Sequence, residues 1–311
     1  MKLLEICEKY YNEYGKEALN SFHDLLPYLC MGVCGSGSEN FGYDDEYSLD
    51  HDVQAGFTIF IPDESKISSR QAFSLERAYN KLPKEFMGLK RQLISPVDGS
   101  RLGVVRLEDF LLSKTGTKDG NLSEIDFLNI PEFYLAEVTN GKIFYDGYGE
   151  FSKIRQKLAY MPENARLKKL AGNLILCYQA GVYNYDRILK RKDFAGAQLA
   201  LFEYCKSVIK IIFLLNKKYL PFYKWQFKTL RNLEKLNVAD SLEFLISSDN
   251  EKNSELKLQV ISDINALIVS ELKSQNITNS LGENLENLAY EVNDKITDND
   301  IRNFNILYAV D

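Results

Sequence analysis

The sequence predicts an α+β protein: a mixed-sheet α/β domain over residues 1–150, followed by an all-α helical bundle domain over residues 151–311. Short β-branched and aromatic runs occur only in the first part, whereas long stretches after residue 151 repeat their apolar residues at helical spacing. Charge divides in a similar place. Residues 1–150 carry a net −10, residues 151–235 carry +13, and residues 236–311 carry −9.

Each element has a local reason. Residues 3–28 place Leu4, Ile6, Tyr10, Tyr14, Ala18, Phe22 and Leu25 near helical spacing, with Pro27 at the end. Residues 29–34 are a short apolar run entering a turn of glycine and serine, which predicts a buried strand and a tight loop. Residues 55–62 and 102–107 are β-branched and predict two more strands. Between them, residues 69–82 predict a helix ended by Pro83. Residues 111–126 read as a loop with some helix, 130–139 as a helix with Pro131 in its first turn, and 142–145 as a strand. Helical patterns follow at 163–182, 194–217, 222–236, 254–274 and 283–296. Asp193 suits an N-cap and Pro221 a first-turn position.

Composition narrows the function. The 311 residues are 45% hydrophobic and 26% charged, which is globular and long enough for two cores. Five cysteines without a C-x-x-C pair, and only His23 and His51 beside them, argue against a Cys/His zinc site and a secreted disulfide scaffold, and favour the cytoplasm. The charged start MKLLEICEKYYNEYG does not read as a signal peptide, and the apolar run 208–216 is too short to span a bilayer, so no membrane partner is expected.

The chemistry concentrates in residues 35–52, GSGSENFGYDDEYSLDHD. Between residues 31 and 64 there are eight acids and no Lys or Arg. Such a stretch suits a metal site facing a polyanion, and equally a solvated acidic face that helps domains dock. Ser36, Gly37 and Ser38 form a turn of small residues whose backbone N–H groups and hydroxyls suit phosphate oxygens. Twelve residues past Ser38 come Asp50 and, after His51, Asp52. On an extended strand these two carboxylates point to one side, where their repulsion is relieved by a hard cation such as Mg²⁺. His51 would face the other way and suits packing or a supporting role.

Gly37, Ser38, Asp50 and Asp52 resemble the signature of the nucleotidyltransferase superfamily, the DNA polymerase beta-like group: a Gly-Ser turn, a gap, then Asp-x-Asp on the next strand. The longer string is similar to one bacterial family of that group, a domain of unknown function with a helical C-terminal domain. The runs G-x-x-F-x-D at 141–146, Y-N-x-x-R-x-x-x-R-x-D at 183–193 and P-F-Y-K-W at 221–225 extend the likeness over residues 32–225. The resemblance implies a nucleotidyltransferase core in residues 1–150. It implies Asp50 and Asp52 as catalytic ligands of Mg²⁺ or Mn²⁺, and an NTP whose phosphates lie on Ser36, Gly37 and Ser38. A nucleoside monophosphate would pass to a hydroxyl of an unidentified acceptor, a small molecule or a protein. Superfamily members usually add a third acid. The strand at 102–107 carries Arg106 instead, and Glu108, Asp109, Asp126 and Asp146 are unassigned alternatives.

Arg187 and Arg191 are four apart, and Lys224, Lys228, Arg231 and Lys235 follow at steps of 4, 3 and 4. On helices each set shares a face. Arg187, Arg191 and Lys224 are thus candidates for binding a triphosphate or an anionic acceptor, against the plain alternative of solvated faces. Trp225 suits packing better than base stacking. Nucleic acid is the less favoured acceptor, because the block lacks interleaved aromatics. The competing reading is a catalytically inactive nucleotide-binding or antitoxin-like regulator of the same fold, motivated by the missing third acid.

Overall fold

The computed structural model describes residues 1–45, 54–90 and 102–310. Asp50, His51 and Asp52 therefore lie outside the described residues. In chain order the elements are α1 (Leu3–Tyr10), α2 (Lys16–Leu19), β1 (Cys30–Val33), β2 (Thr58–Ile61), α3 (Ser69–Asn80), β3 (Glu85–Phe86), β4 (Leu89–Lys90), β5 (Gly103–Arg106), α4 (Leu107–Thr115), α5 (Glu124–Asn129), α6 (Glu132–Thr139), β6 (Lys142–Asp146) and α7 (Glu150–Lys157). They continue as α8 (Glu163–Cys177), α9 (Tyr185–Lys190), α10 (Phe194–Leu215), α11 (Gln226–Leu230), α12 (Ala239–Ser247), α13 (Asn250–Ser274), α14 (Leu285–Asp294) and α15 (Asn299–Asn303). The class is α+β, and among the described residues the strands lie in the first half.

The chain forms two compact units, Met1–Leu122 with Phe133–Ala159, and Ser123–Glu132 with Tyr160–Asp311. The single cut expected at residue 150 is displaced for two physical reasons. Helix α7 packs on β6 and stays with the sheet. The short helix α5 packs on α8 and leaves with the helical unit.

The first unit is built on a mixed sheet in the order β5-β2-β1-β6. β1 runs antiparallel to β2 and β6, and β2 runs parallel to β5. One face of the sheet presents Met31, Val33, Ile59 and Ile61 to Leu3, Cys7 and Tyr10 of α1 and to Leu75 and Tyr79 of α3. The other face presents Phe60 to Phe110 of α4 and Phe151 of α7, at ring distances of 5.2 and 4.8 Å. Cover on both faces explains why β1 and β2 are buried at every position rather than at alternate ones.

Local differences from the sequence expectation follow competing forces. The helix expected over residues 3–28 is helical to Phe22, with a π-helical stretch Tyr11–Gly15 and a final 3-10 turn, and resumes only as the 3-10 turn Leu26–Tyr28. The loop with some helix expected over residues 111–126 holds the end of α4, which already starts at Leu107, and the beginning of α5.

In the second unit α8 is buried nearly all round, and α10 packs along it. The segment 222–236 is not one helix. A 3-10 turn at Tyr223–Trp225 leads into α11, which stops at Leu230, and Pro221 lies outside both. Among the described residues no helix is long and apolar enough to cross a membrane.

Candidate functional site

The turn after β1 departs from the middle of the sheet, since β1 lies between β2 and β6. Two staples hold it. Gly35 N–H donates to Asn140 Oδ1 (2.9 Å), while Asn140 Nδ2 donates to the Gly35 carbonyl (2.8 Å). Gly141 N–H donates to the Asn40 carbonyl (2.9 Å). The amide of Asn140 thus pairs with the turn as a neighbouring strand would. Gly141 has φ +63°, and a Cβ there would collide with the Val33 carbonyl, so only glycine lets this corner approach β1.

A 3-10 turn, Ser38–Phe41, follows. Asn40 N–H donates to the Gly37 carbonyl (3.1 Å) and Tyr43 N–H to the Ser38 carbonyl (2.9 Å). The downstream end is tied to α1, where the Asp44 carboxylate accepts from Leu3 N–H (2.9 Å) and faces Lys2 Nζ (3.8 Å). Asp44 therefore caps a helix, which leaves it a shaping role in the acidic loop.

Within this scaffold the backbone N–H groups of Ser36, Gly37 and Ser38 make no hydrogen bond among the described residues, nor do the two serine hydroxyls. Gly37 is buried, Ser38 half-buried and Ser36 exposed. The structure thus gathers the three expected phosphate-binding residues on one turn with unused donors. The Glu39 carboxylate curls back against Gly37, where it would meet any Cβ at that position.

Beneath the turn lies a charged cluster. Lys114 Nζ contacts Glu137 Oε2 at 2.5 Å, and Glu137 is buried. Arg155 donates from Nη2 to the Thr139 carbonyl (3.0 Å) and stands over the Phe151 ring. Burial pushes the Cys34 thiol up to about 12 despite the opposing Arg155 charge, and burial raises Cys30 as well. Both are small buried core groups.

The acids considered as third ligands have other duties. Asp146 uses both oxygens on the start of α7, accepting from Gly149 N–H and Ser152 N–H at 2.8 Å each. Asp126 forms a capping box with Ser123 in the other unit. Glu108 pairs with Lys118 (3.3 Å), while Asp109 is exposed on the first turn of α4. Among the described residues no group of three His, Cys, Asp or Glu is placed to hold a metal ion.

The basic residues expected to bind anions lie in the helical unit. Arg187 is exposed and stacks on Tyr183 (4.5 Å), and Arg191 is exposed just past α9. Lys224 is exposed beside the Trp225 ring (5.0 Å), and Lys228 lies 5.7 Å from the same ring. The four-residue stripe is broken, because α11 ends before Arg231. Arg231 instead pairs with Glu243, and Lys235 pairs with Glu271 (3.0 Å). The positive block is also partly internal: Arg166, Lys168 and Lys169 are buried in α8.

Sequence reasoning missed Asn140, Asn40 and Glu39. Glu39 sat in view inside the GSGSE string, whereas Asn140 is 105 residues from the glycine it clamps and carried no local signal.

Residues 127–226 match the model of a domain of unknown function, DUF4037. The matched stretch includes Asn140, Gly141, Asp146, Arg187, Arg191 and Lys224, and ends before the long helix α13. No curated protein matches the chain.

Proposed function

We propose that the chain is a Mg²⁺-dependent nucleotidyltransferase that moves a nucleoside monophosphate from an NTP to a hydroxyl of an acceptor. The observation that carries this reading is the row of unused N–H donors on Ser36, Gly37 and Ser38, in a turn tied at its ends by Asn140 to Gly35 and by Gly141 to Asn40. Preorganised donors of this kind match phosphoryl oxygens without reorganising at the moment of reaction.

Glu39 supports a cation-bridged phosphate over a bare one. A carboxylate beside the donors repels a free triphosphate, and a divalent ion between them removes that repulsion. In this reading Asp50 and Asp52 hold the ion. When bound, Mg²⁺ or Mn²⁺ would lower the cost of charge developing on the transferred phosphate. The chain's own residues do the rest: the turn fixes the β and γ phosphates, while exposed Arg187, Arg191 and Lys224 attract an anionic ligand. The five unbridged buried thiols fit the reducing cytoplasm to which we assign the protein.

The second reading, a nucleotide-binding regulator without turnover, is favoured by one observation: Asp146, Asp126 and Glu108 are all engaged elsewhere. One experiment separates the two. Radiolabelled NTP with Mg²⁺ and a panel of hydroxyl-bearing small molecules and proteins as acceptors is incubated with wild type and with Asp50→Asn, and both binding and pyrophosphate release are read. Binding with release in wild type, and release lost in the variant, supports the transferase. Binding without release supports the regulator. Undiminished release in Asp50→Asn would overturn the mechanism.

A further inference from the structure

The helical unit contains a cavity of about 450 Å³ between the π-helical segment Tyr178–Asn184, α13 and the start of α14. Its cause is local. The Gly181 backbone lies against the Tyr204 ring, and a Cβ there would run into that ring. The wide π-helical turn that permits this approach sets Tyr178 and Val182 along one wall of the cavity. The opposite wall is a stripe of α13 one turn apart, Ile261, Asn265 and Val269. Asn265 is anchored from behind, because its Oδ1 accepts from Tyr204 Oη (3.0 Å) and Cys177 Sγ (3.7 Å).

The charges of the lining have one sign. Asp186 and Glu283 line the cavity, and no Lys or Arg does. Asp186 pairs with Lys190, whereas Glu283 makes no ion pair among the described residues. This is notable in a unit whose segment 151–235 carries +13. The size suits a small molecule, and Leu258, Ile261, Ala266, Val269 and Leu285 give the lining an apolar part.

We propose that this cavity binds a small organic cation, its apolar body on Ile261 and Val269 and its ammonium toward Glu283 and Asp186. The proposal is independent of nucleotidyl transfer. Calorimetric titration of the full chain with tryptamine and with indole-3-propionate at neutral pH tests it, since the two share a ring and differ in the sign of their charge. Tryptamine should bind and indole-3-propionate should not. The double variant Asp186→Asn/Glu283→Gln should weaken tryptamine about tenfold or more. Val182→Trp, which fills the cavity from an exposed position, should abolish binding while the thermal midpoint stays at the wild-type value. Equal affinity for the two indoles, binding unchanged in either variant, or no tryptamine heat at millimolar concentration would each overturn it.

Discussion

Asn140 shows how one side chain can set a functional turn. Its amide supplies both an acceptor and a donor to Gly35, so removing it strands a partly buried N–H and a carbonyl together. Asn140→Ala should therefore lower stability by about 1–3 kcal/mol, read as a lower urea midpoint at unchanged slope. Asn140→Asp keeps the acceptor but sets a carboxylate against the Gly35 carbonyl, and should do no better. A wild-type midpoint for Asn140→Ala would show that the turn is held some other way. The buried lysines are a second lesson at this scale. Lys168 Nζ donates to Asn293 Oδ1 (2.9 Å) and to the carbonyls of Arg302 (3.2 Å) and Phe304 (2.6 Å). Lys257 Nζ donates to the Ser248 carbonyl (2.6 Å) and Asn250 Oδ1 (2.8 Å). Neutral oxygens satisfy the protons, yet desolvation still pulls both pKa values down.

Helix ends explain much of what the acids do. Asp193 accepts from Gly196 N–H (2.9 Å) at the start of α10, the cap that its sequence position implied. Asp193→Ala should cost about 1 kcal/mol. Asp146 serves two N–H groups at the start of α7, so Asp146→Ala should cost about twice as much. Paired urea titrations check the order, and a smaller loss at Asp146 would reopen it as a functional acid. Capping also accounts for the start of α13. The expected helix begins at residue 254, but Asp249 caps an earlier turn, and the two pieces join across a kink at Asn253.

Across the whole molecule, buried thiols set the response to alkali. Burial raises Cys7, Cys34 and Cys205 from 9.0 to about 12, and raises Cys30 and Cys177 as well. The unfolded chain releases these protons near pH 9 and the folded chain does not. Their contribution is fully present below pH 9 and is lost as pH rises toward 12. Lys168 and Lys257 act in the opposite sense, because their folded pKa values lie below 10.5, and that opposing gain is complete by about pH 10.5. From about pH 10 Tyr11 and Tyr185, both raised from 10.0 to about 12, join the thiols. Under reducing conditions the urea midpoint should fall between pH 9 and 11, most steeply in the upper part. A midpoint that rises over that range would show that the thiols ionise in place.

Local pattern determined the class of the longer elements, whereas short ones such as β3, β4, α9, α12 and α15 were not among those expected. Periodicity separated strands from helices. Small residues located the turn at 35–38, and the apolar run 29–34 marked β1 as buried. The Asp-x-Asp pair, Asp50 and Asp52, was legible only as spacing. Partners were decided by the tertiary structure alone. It assigned Asn140 to Gly35, Asp146 to α7 and Arg231 to Glu243, and it placed Arg166, Lys168 and Lys169 in the core. The physical reason is that periodicity reports how a residue faces its own element. A side chain's hydrogen bond or counter-charge depends on where the backbone returns many residues later.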